Sequence, residues 1–192
     1  MATATLSPTR RTSNAAPAAA IVGDRDVDES TATAVIDAPI DRIDIGEWWL
    51  ADRGGSGPSA RFAAGSTLAP DGKRIAVDVE LVGGRLLVHY CVERLADRDH
   101  LVVESVSDLA TPAGRTTIRI LWDVRVGSID SGRSALTSRV RTNVAKEFAA
   151  FLSRQGIPLD AFLSQRLPVS VARNERLTRF FAAGIERAAR GN

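Results

Sequence analysis

The chain has a single cysteine, Cys91, so it forms no internal disulfide and holds no multi-cysteine zinc site. Its two histidines, His89 and His100, are too few for a His-rich metal centre. Lysine is nearly absent: of 25 basic residues only Lys73 and Lys146 are Lys. That Arg bias points to a GC-rich bacterial genome rather than to an anionic partner. Neither sign of charge dominates, with Asp+Glu at 23 and a formal net charge of +2. A dedicated nucleic-acid binder carries a clear basic excess, so that class is excluded. No apolar run approaches the ~20 residues of a membrane-spanning helix. Phosphate-loop, dinucleotide, zinc-protease and Ser-hydrolase signatures are missing too.

What is present is 192 residues, 44% hydrophobic and 25% charged, enough for one domain with a packed core. The expectation is a cytoplasmic protein without metal or cofactor. A homodimer is compatible with it.

Residues 1–29 read as a disordered tail. Ala, Thr, Ser and Pro fill its start, and Asp24, Asp26, Asp28 and Glu29 close it with little to bury. Arg10-Arg11 faintly matches a twin-arginine export signal, but the apolar stretch behind it is short and broken by Pro17. Residues 30–192 then form one domain. Thr31–Ile36 is rich in β-branched residues and reads as a first strand ending at Ala38-Pro39. Ile40–Ala51 reads as one or two short helices, with Gly46 against a continuous one. Gly54–Pro58 is a flexible loop. Phe62–Leu68 adds a strand, and 74–82, 85–95, 100–109, 115–126 and 135–142 form an antiparallel meander with hairpin-type turns between. Val144, Phe148, Phe151 and Leu152 share a helical face that Gly156 terminates. A short helix over Leu159–Leu163 ends before Pro168, and a last amphipathic helix runs from Leu177 to Gly191. Strands followed by helices give an α+β fold: a curved antiparallel sheet of six or seven strands on C-terminal helices.

The Gly83-Gly84 turn sets the register. A two-residue loop pairs Val82 with Arg85, so Val77 faces Tyr90, Val79 faces Val88 and Asp78 faces His89. The side carrying Ile75, Val77, Val79, Leu86, Val88, Tyr90 and Val92 is the more apolar and reads as the inner face. Leu101, Val103, Ser105, Ser107, Ile118, Ile120, Trp122, Val124, Leu136, Ser138 and Val140 join it. Asp78, His89 and Cys91 then fall on the outer, charged face. There Asp78 and His89 read as a solvated cross-strand pair contributing roughly 0.2–1 kcal/mol, and Cys91 as an inert thiol. The Arg-rich C-terminal helices read as a solvated face.

Tyr90, Ser105 and Ser107 thus become the candidate catalytic groups, able to polarise a carbonyl or relay a proton. Val77, Val88, Ile120, Trp122, Ser138 and Phe148 become candidate walls of an apolar cavity. The competing reading of the same residues is a filled core with satisfied hydroxyls.

Ala34-Val35-Ile36-Asp37-Ala38-Pro39, followed by short helices, a long meander and a C-terminal helix, resembles the START/Bet v1-like helix-grip superfamily, polyketide cyclase-like members included. The resemblance covers about residues 30 to 155. It departs at 157–192, where a helical extension follows. It implies a deep apolar cavity and a hydrophobic small-molecule ligand or substrate, with three roles open. These are a cyclase or aromatase of bacterial secondary metabolism, a non-catalytic carrier or sensor, and a partner-binding module using the Arg-rich helices.

Overall fold

The computed structural model describes residues 21–51, 61–82 and 85–191. The export-signal reading, the first part of the tail and the Gly54–Pro58 loop lie outside them. Seven strands form one antiparallel sheet: β1 (Ile21–Ile36), β2 (Arg61–Leu68), β3 (Arg74–Val82), β4 (Arg85–Ala96), β5 (His100–Thr111), β6 (Gly114–Ser128) and β7 (Ser134–Ala145). Their order is β1-β7-β6-β5-β4-β3-β2. The meander runs unbroken from β2 to β7, and β1 closes the far edge beside β7. A 3-10 turn (Ile40–Arg42) and α1 (Ile45–Ala51) follow β1; α2 (Lys146–Arg154) and α3 (Leu159–Ala189) follow β7.

Alternation makes the sheet two-faced. In β6 Thr116, Ile118, Ile120, Trp122, Val124 and Val126 are buried, while the residues between them are not. In β5 Leu101, Val103, Ser105 and Ser107 are buried likewise. This face takes all three α-helices. The other carries ion pairs such as Arg94–Glu104, Arg119–Glu104 and Arg139–Glu29. The hydrogen bond from Arg139 holds the Glu29 carboxyl below its ordinary pKa, with the charges of Arg139 and Arg141 acting the same way.

The expected register holds along the described strands, with Val77 paired to Tyr90, Val79 to Val88 and Asp78 to His89, while Gly83 and Gly84 lie outside the described residues. The faces, however, are reversed in this half of the sheet. Leu87, His89 and Cys91 are buried beneath the helices, and Tyr90 is 45% exposed on the opposite side. The cause is one residue. Ala96 pairs Leu101 and Leu95 pairs Val102, but Glu93 pairs Val103, so Arg94 is a β-bulge. An extra residue moves every later side chain of the strand to the other face. Without it Arg94 would stand opposite Val103 on the buried side. With it, the guanidinium stays outside and donates from Nε to Glu104 Oε2 at 2.8 Å. Tyr90, Val77 and Val88 are therefore not inner-face residues.

Three further expectations change. β1 begins at Ile21, within the segment read as tail. The tail reading rested on what side chains bury. Pairing with β7 instead satisfies backbone groups along a long edge, whatever the side chains are. Val144 lies in β7, which runs to Ala145, rather than opening a helix. α3 runs through Pro168 without a break. Proline removes one N–H and crowds the carbonyl four residues back, but Gln165, Leu167, Pro168 and Val169 are all exposed there, so water can take up the freed carbonyl.

The helix holds the sheet by polar contacts as well as apolar ones. The buried Asn174 side chain donates from Nδ2 to the carbonyls of Ser30 (3.0 Å) and Ser138 (3.1 Å), one on β1 and one on β7. At the other end Glu186 Oε2 accepts from the Asp37 N–H at 3.1 Å. Gly46 sits inside α1 because α1 lies directly on the β4–β5 turn. A Cβ there would stand 2.9 Å from the Ala96 carbonyl oxygen and 3.0 Å from that of Asp97. Gly46→Ala is therefore expected to destabilise the protein by about 1–3 kcal/mol, against the gain a helical Gly→Ala change usually brings. A urea unfolding midpoint checks the sign.

Candidate functional site

Paired residues in adjacent strands share a face, so the register lists what lies side by side under the helices. One inner row is Asp78, His89, Ser107, Ile118; the next is Ala76, Cys91, Ser105, Ile120. His89, Ser105 and Ser107 are each at most 1% exposed. His89 Nδ1 lies 2.8 Å from Ser107 Oγ, and Ser107 Oγ lies 2.9 Å from Ser105 Oγ. The three form one chain of hydrogen bonds ending on the imidazole. Each hydroxyl both donates and accepts. The chain can therefore run toward Nδ1, leaving the proton on Nε2, or away from it, leaving Nε2 basic. Trp122 meets the ring edge-to-face, with centroids 5.8 Å apart and an interplanar angle of 70°.

His89 and Trp122 line a small cavity of about 30 Å³, room for about one water, with Ser107 and Ser105 behind the imidazole. Its floor is the sheet, with Asp78, His89, Cys91, Val103 and Trp122. Its roof is Ile45, Trp48 and Trp49 of α1 with Phe181 and Ile185 of α3. Trp48 and Phe181 meet edge-to-face at 5.6 Å across the α1–α3 seam. Trp48 and Ile185 also line a groove of about 420 Å³ that opens outward between Arg42 and Arg187, so they form the wall between the two spaces. The Trp48 indole N–H is buried without a hydrogen-bond partner. Gly184 lets α3 come this close, since a Cβ there would sit 3.2 Å from the indole.

The sequence-derived candidates divide on this geometry. Trp122 lines the cavity, while Ser105 and Ser107 lie behind His89, bonded to each other and to its ring, and do not line it. Ile120 is buried on the inner face one row away, and Ser138 is buried where its carbonyl accepts from Asn174. Tyr90, Val77 and Val88 point away from the cavity. Phe148 is buried at another place, against Phe162 at 5.2 Å, beside a separate groove of about 480 Å³ between the β5–β6 turn and α2–α3. His89, Asp78 and Cys91 replace them at the cavity. The Asp78–His89 pairing was legible in the sequence, but the bulge that turns it inward was not. Among the described residues no group of three or more His, Cys, Asp or Glu is placed to hold a metal ion. No helix among them is long and apolar enough to cross a membrane.

Asp28 of β1 is a second polar oddity. It is 7% exposed, and neither carboxylate oxygen has a partner. An unpaired buried charge costs stability. Asp28→Asn is expected to raise unfolding stability by about 1 kcal/mol or more, seen as a higher urea midpoint at unchanged slope.

No protein-family model matches the sequence, and neither does any curated protein. Solved structures do match. The Zhui aromatase/cyclase from Streptomyces sp. R1128 superposes with a TM-score of 0.58 at 15% identity, over 83% of this chain and 93% of that one. The fold is the START/Bet v1-like helix grip. The di-domain aromatase/cyclase StfQ of the steffimycin pathway gives a TM-score of 0.56 at 14% identity, over 84% of this chain and 51% of its own. BexL, a di-domain aromatase/cyclase of the BE-7585A pathway, gives 0.52 at 18%, over 82% and 49%. The helix-grip chain thus spans about half the length of those two proteins.

Proposed function

We propose that this helix-grip protein binds a hydrophobic small molecule between the inner face of the sheet and the α1–α3 roof. We assign it the role of a polyketide cyclase-like enzyme of bacterial secondary metabolism, with His89 as its acid–base group. The observation that carries this reading is the buried imidazole, held by the Ser107–Ser105 relay on the wall of a cavity that Asp78 and Cys91 line together with aliphatic and aromatic side chains. The aromatase/cyclases among the structural neighbours favour the same chemistry.

Intramolecular aldol closure needs one proton removed and one returned. His89 Nε2 takes the proton from a carbon flanked by two carbonyls. The resulting enolate attacks a third carbonyl farther along the same chain, forming the C–C bond as that carbonyl's π bond opens to an alkoxide. The proton then goes to the new alkoxide, and loss of water leaves the ring unsaturated. Ser107 holds the orientation of the ring, Ser105 holds Ser107, and the chain that runs away from Nδ1 is the one that leaves Nε2 basic for this step. Trp122 supplies a flat wall for a ring. Confinement of a flexible chain in a reactive conformer accounts for much of the rate gain.

A ring does not fit into about 30 Å³. Binding therefore requires the Trp48–Ile185 wall to move, which joins the cavity to the neighbouring groove of about 420 Å³. The merged space reaches the volume typical of small-molecule sites. The unpartnered Trp48 N–H favours that movement, because it gains a hydrogen bond on leaving its buried position.

A carrier or sensor would use the same cavity without chemistry at His89. The apolar composition of the roof favours binding in either case. Gentle native mass spectrometry with a denatured control tests the binding reading, paired with titration of an apolar fluorescent dye. A retained hydrophobic molecule, or saturable dye binding lost on filling the cavity with Val103→Trp, is the expected result. No retained mass and no dye binding would remove both cavity readings.

A further inference from the structure

We infer that the Trp48 indole N–H selects the ligand by an acceptor oxygen, so that the site takes an uncharged aromatic ketone in preference to a hydrocarbon of the same shape. The inference rests on the binding reading above and adds the chemistry of the molecule bound. Trp48 is 8% exposed, and its Nε1–H is buried with no hydrogen-bond partner. A buried donor without an acceptor loses its hydration and regains nothing. Phe would fill much of the same space without that loss. The indole thus breaks a local rule with no structural return, which marks a functional position.

The surroundings say what is missing. The indole edge that carries Nε1 lies against Gly184, where a Cβ would stand 3.2 Å from Nε1 and from Cζ2 and 3.4 Å from Cε2. Gly184 is buried inside α3, a place where glycine weakens a helix, and its missing side chain leaves that edge bare. Trp48 and Gly184 both line the outward groove of about 420 Å³, and Trp48 also lines the cavity of about 30 Å³. The N–H edge therefore stands on the way from one space to the other. Among the described residues none supplies the acceptor: Asp44 caps α1 by accepting from the Glu47 N–H at 2.8 Å, and no oxygen bonds Nε1. An indole N–H only donates, so its complement is an oxygen that accepts. Arg42 and Arg187 of the groove are balanced by Asp44 and Glu47, so nothing there calls for a charged ligand. The inner walls, Trp49, Phe181 and Ile185, are apolar. A ketone suits them, because it accepts without bringing a donor of its own to bury.

Competition against an apolar fluorescent dye tests this, with 2-acetylnaphthalene and 2-isopropenylnaphthalene as probes. The two differ only in a C=O against a C=CH₂. In Trp48→Phe the ketone is expected to lose affinity about tenfold, the worth of one hydrogen bond, while the alkene changes by less than about twofold. In the parent, the Nε1 proton of Trp48, identified by its absence from the spectrum of the variant, moves downfield on saturation with the ketone and not with the alkene. The rings are the same, so ring-current shifts cancel in the comparison. That proton decides the matter if Trp48→Phe lacks the circular dichroism of the parent. Equal changes for both probes, with an Nε1 proton that does not distinguish them, overturn the inference and leave a cavity that binds by shape alone. A parent that does not bind the dye at all overturns the binding reading itself, and this inference with it.

Discussion

His89→Asn is expected to lower turnover of a poly-β-keto thioester by about 10²–10⁴-fold, the range of a lost general acid–base group, while apolar dye affinity changes by no more than a few-fold. Asn is the informative replacement because its side-chain amide reaches the position of Nδ1. It keeps a partner for Ser107 and removes only the titrating ring. The buried hydroxyl pair stays satisfied, so a lost rate is not a lost fold. Ser107→Ala removes the group that orients the ring and leaves the ring itself. It lowers kcat by a smaller factor and moves the pH–rate profile, which a merely structural serine would not do. Unchanged kcat in His89→Asn, with binding intact, would remove His89 from the mechanism, and a parent that binds without turnover would leave the cavity as a carrier site. Single-turnover kinetics beside a dye titration separates these outcomes.

Trp122→Ala is the substitution expected to cost most stability. The indole is 9% exposed and packs edge-to-face on His89 in the middle of β6. Truncating a buried Trp costs about 3–5 kcal/mol, part from lost transfer energy and part from the space left behind. Here the space adjoins the cavity of about 30 Å³, so the two merge. The same variant is therefore expected to bind a bicyclic aromatic dye at least as well as the parent, in spite of its lower stability. Equilibrium urea unfolding gives the first quantity and fluorescence titration the second. A loss below about 1 kcal/mol would mean that the core collapses around the site or that Trp122 is not at its centre.

Much of this architecture is legible in the residues themselves. Gly83-Gly84 specifies a two-residue hairpin, and its register holds along β3 and β4. The alternation from Ile118 to Val126 assigns the faces of β6 without ambiguity, and Gly156 ends α2 at a φ of +66° as a helix-stopping glycine does. The face of β4 is not legible, for a physical reason. Leu86, Val88, Tyr90 and Val92 are more hydrophobic than Leu87, His89 and Cys91, so pattern alone buries the wrong set. The deciding feature is Arg94, whose reach to Glu104 across the strand makes a bulge better than a regular ladder. Nothing local marks it. The site inherits this: Ser105, Ser107 and Trp122 lie on strands whose faces are readable, whereas His89 lies on the strand whose face is not. Phe148 shows a different limit. Its helical face is evident, but which groove that face covers depends on how α2 meets α3. The roof of Trp48, Phe181 and Ile185 joins helices far apart in sequence, and no periodicity brings them together.

The chain carries its own control for the central claim, because its two histidines lie on opposite faces of the sheet. His89 is 1% exposed under the helices, while His100 binds Asp123 at 2.9 Å on the outer face. Long-range proton–nitrogen spectra of the two imidazoles, recorded while an uncharged bicyclic aromatic such as naphthol is titrated in, report on each ring separately. Saturable shifts of the His89 nitrogens, with those of His100 unmoved, are the result predicted for a ligand seated between sheet and helices. Binding that leaves His89 unmoved would place the ligand elsewhere and contradict the assignment of the site.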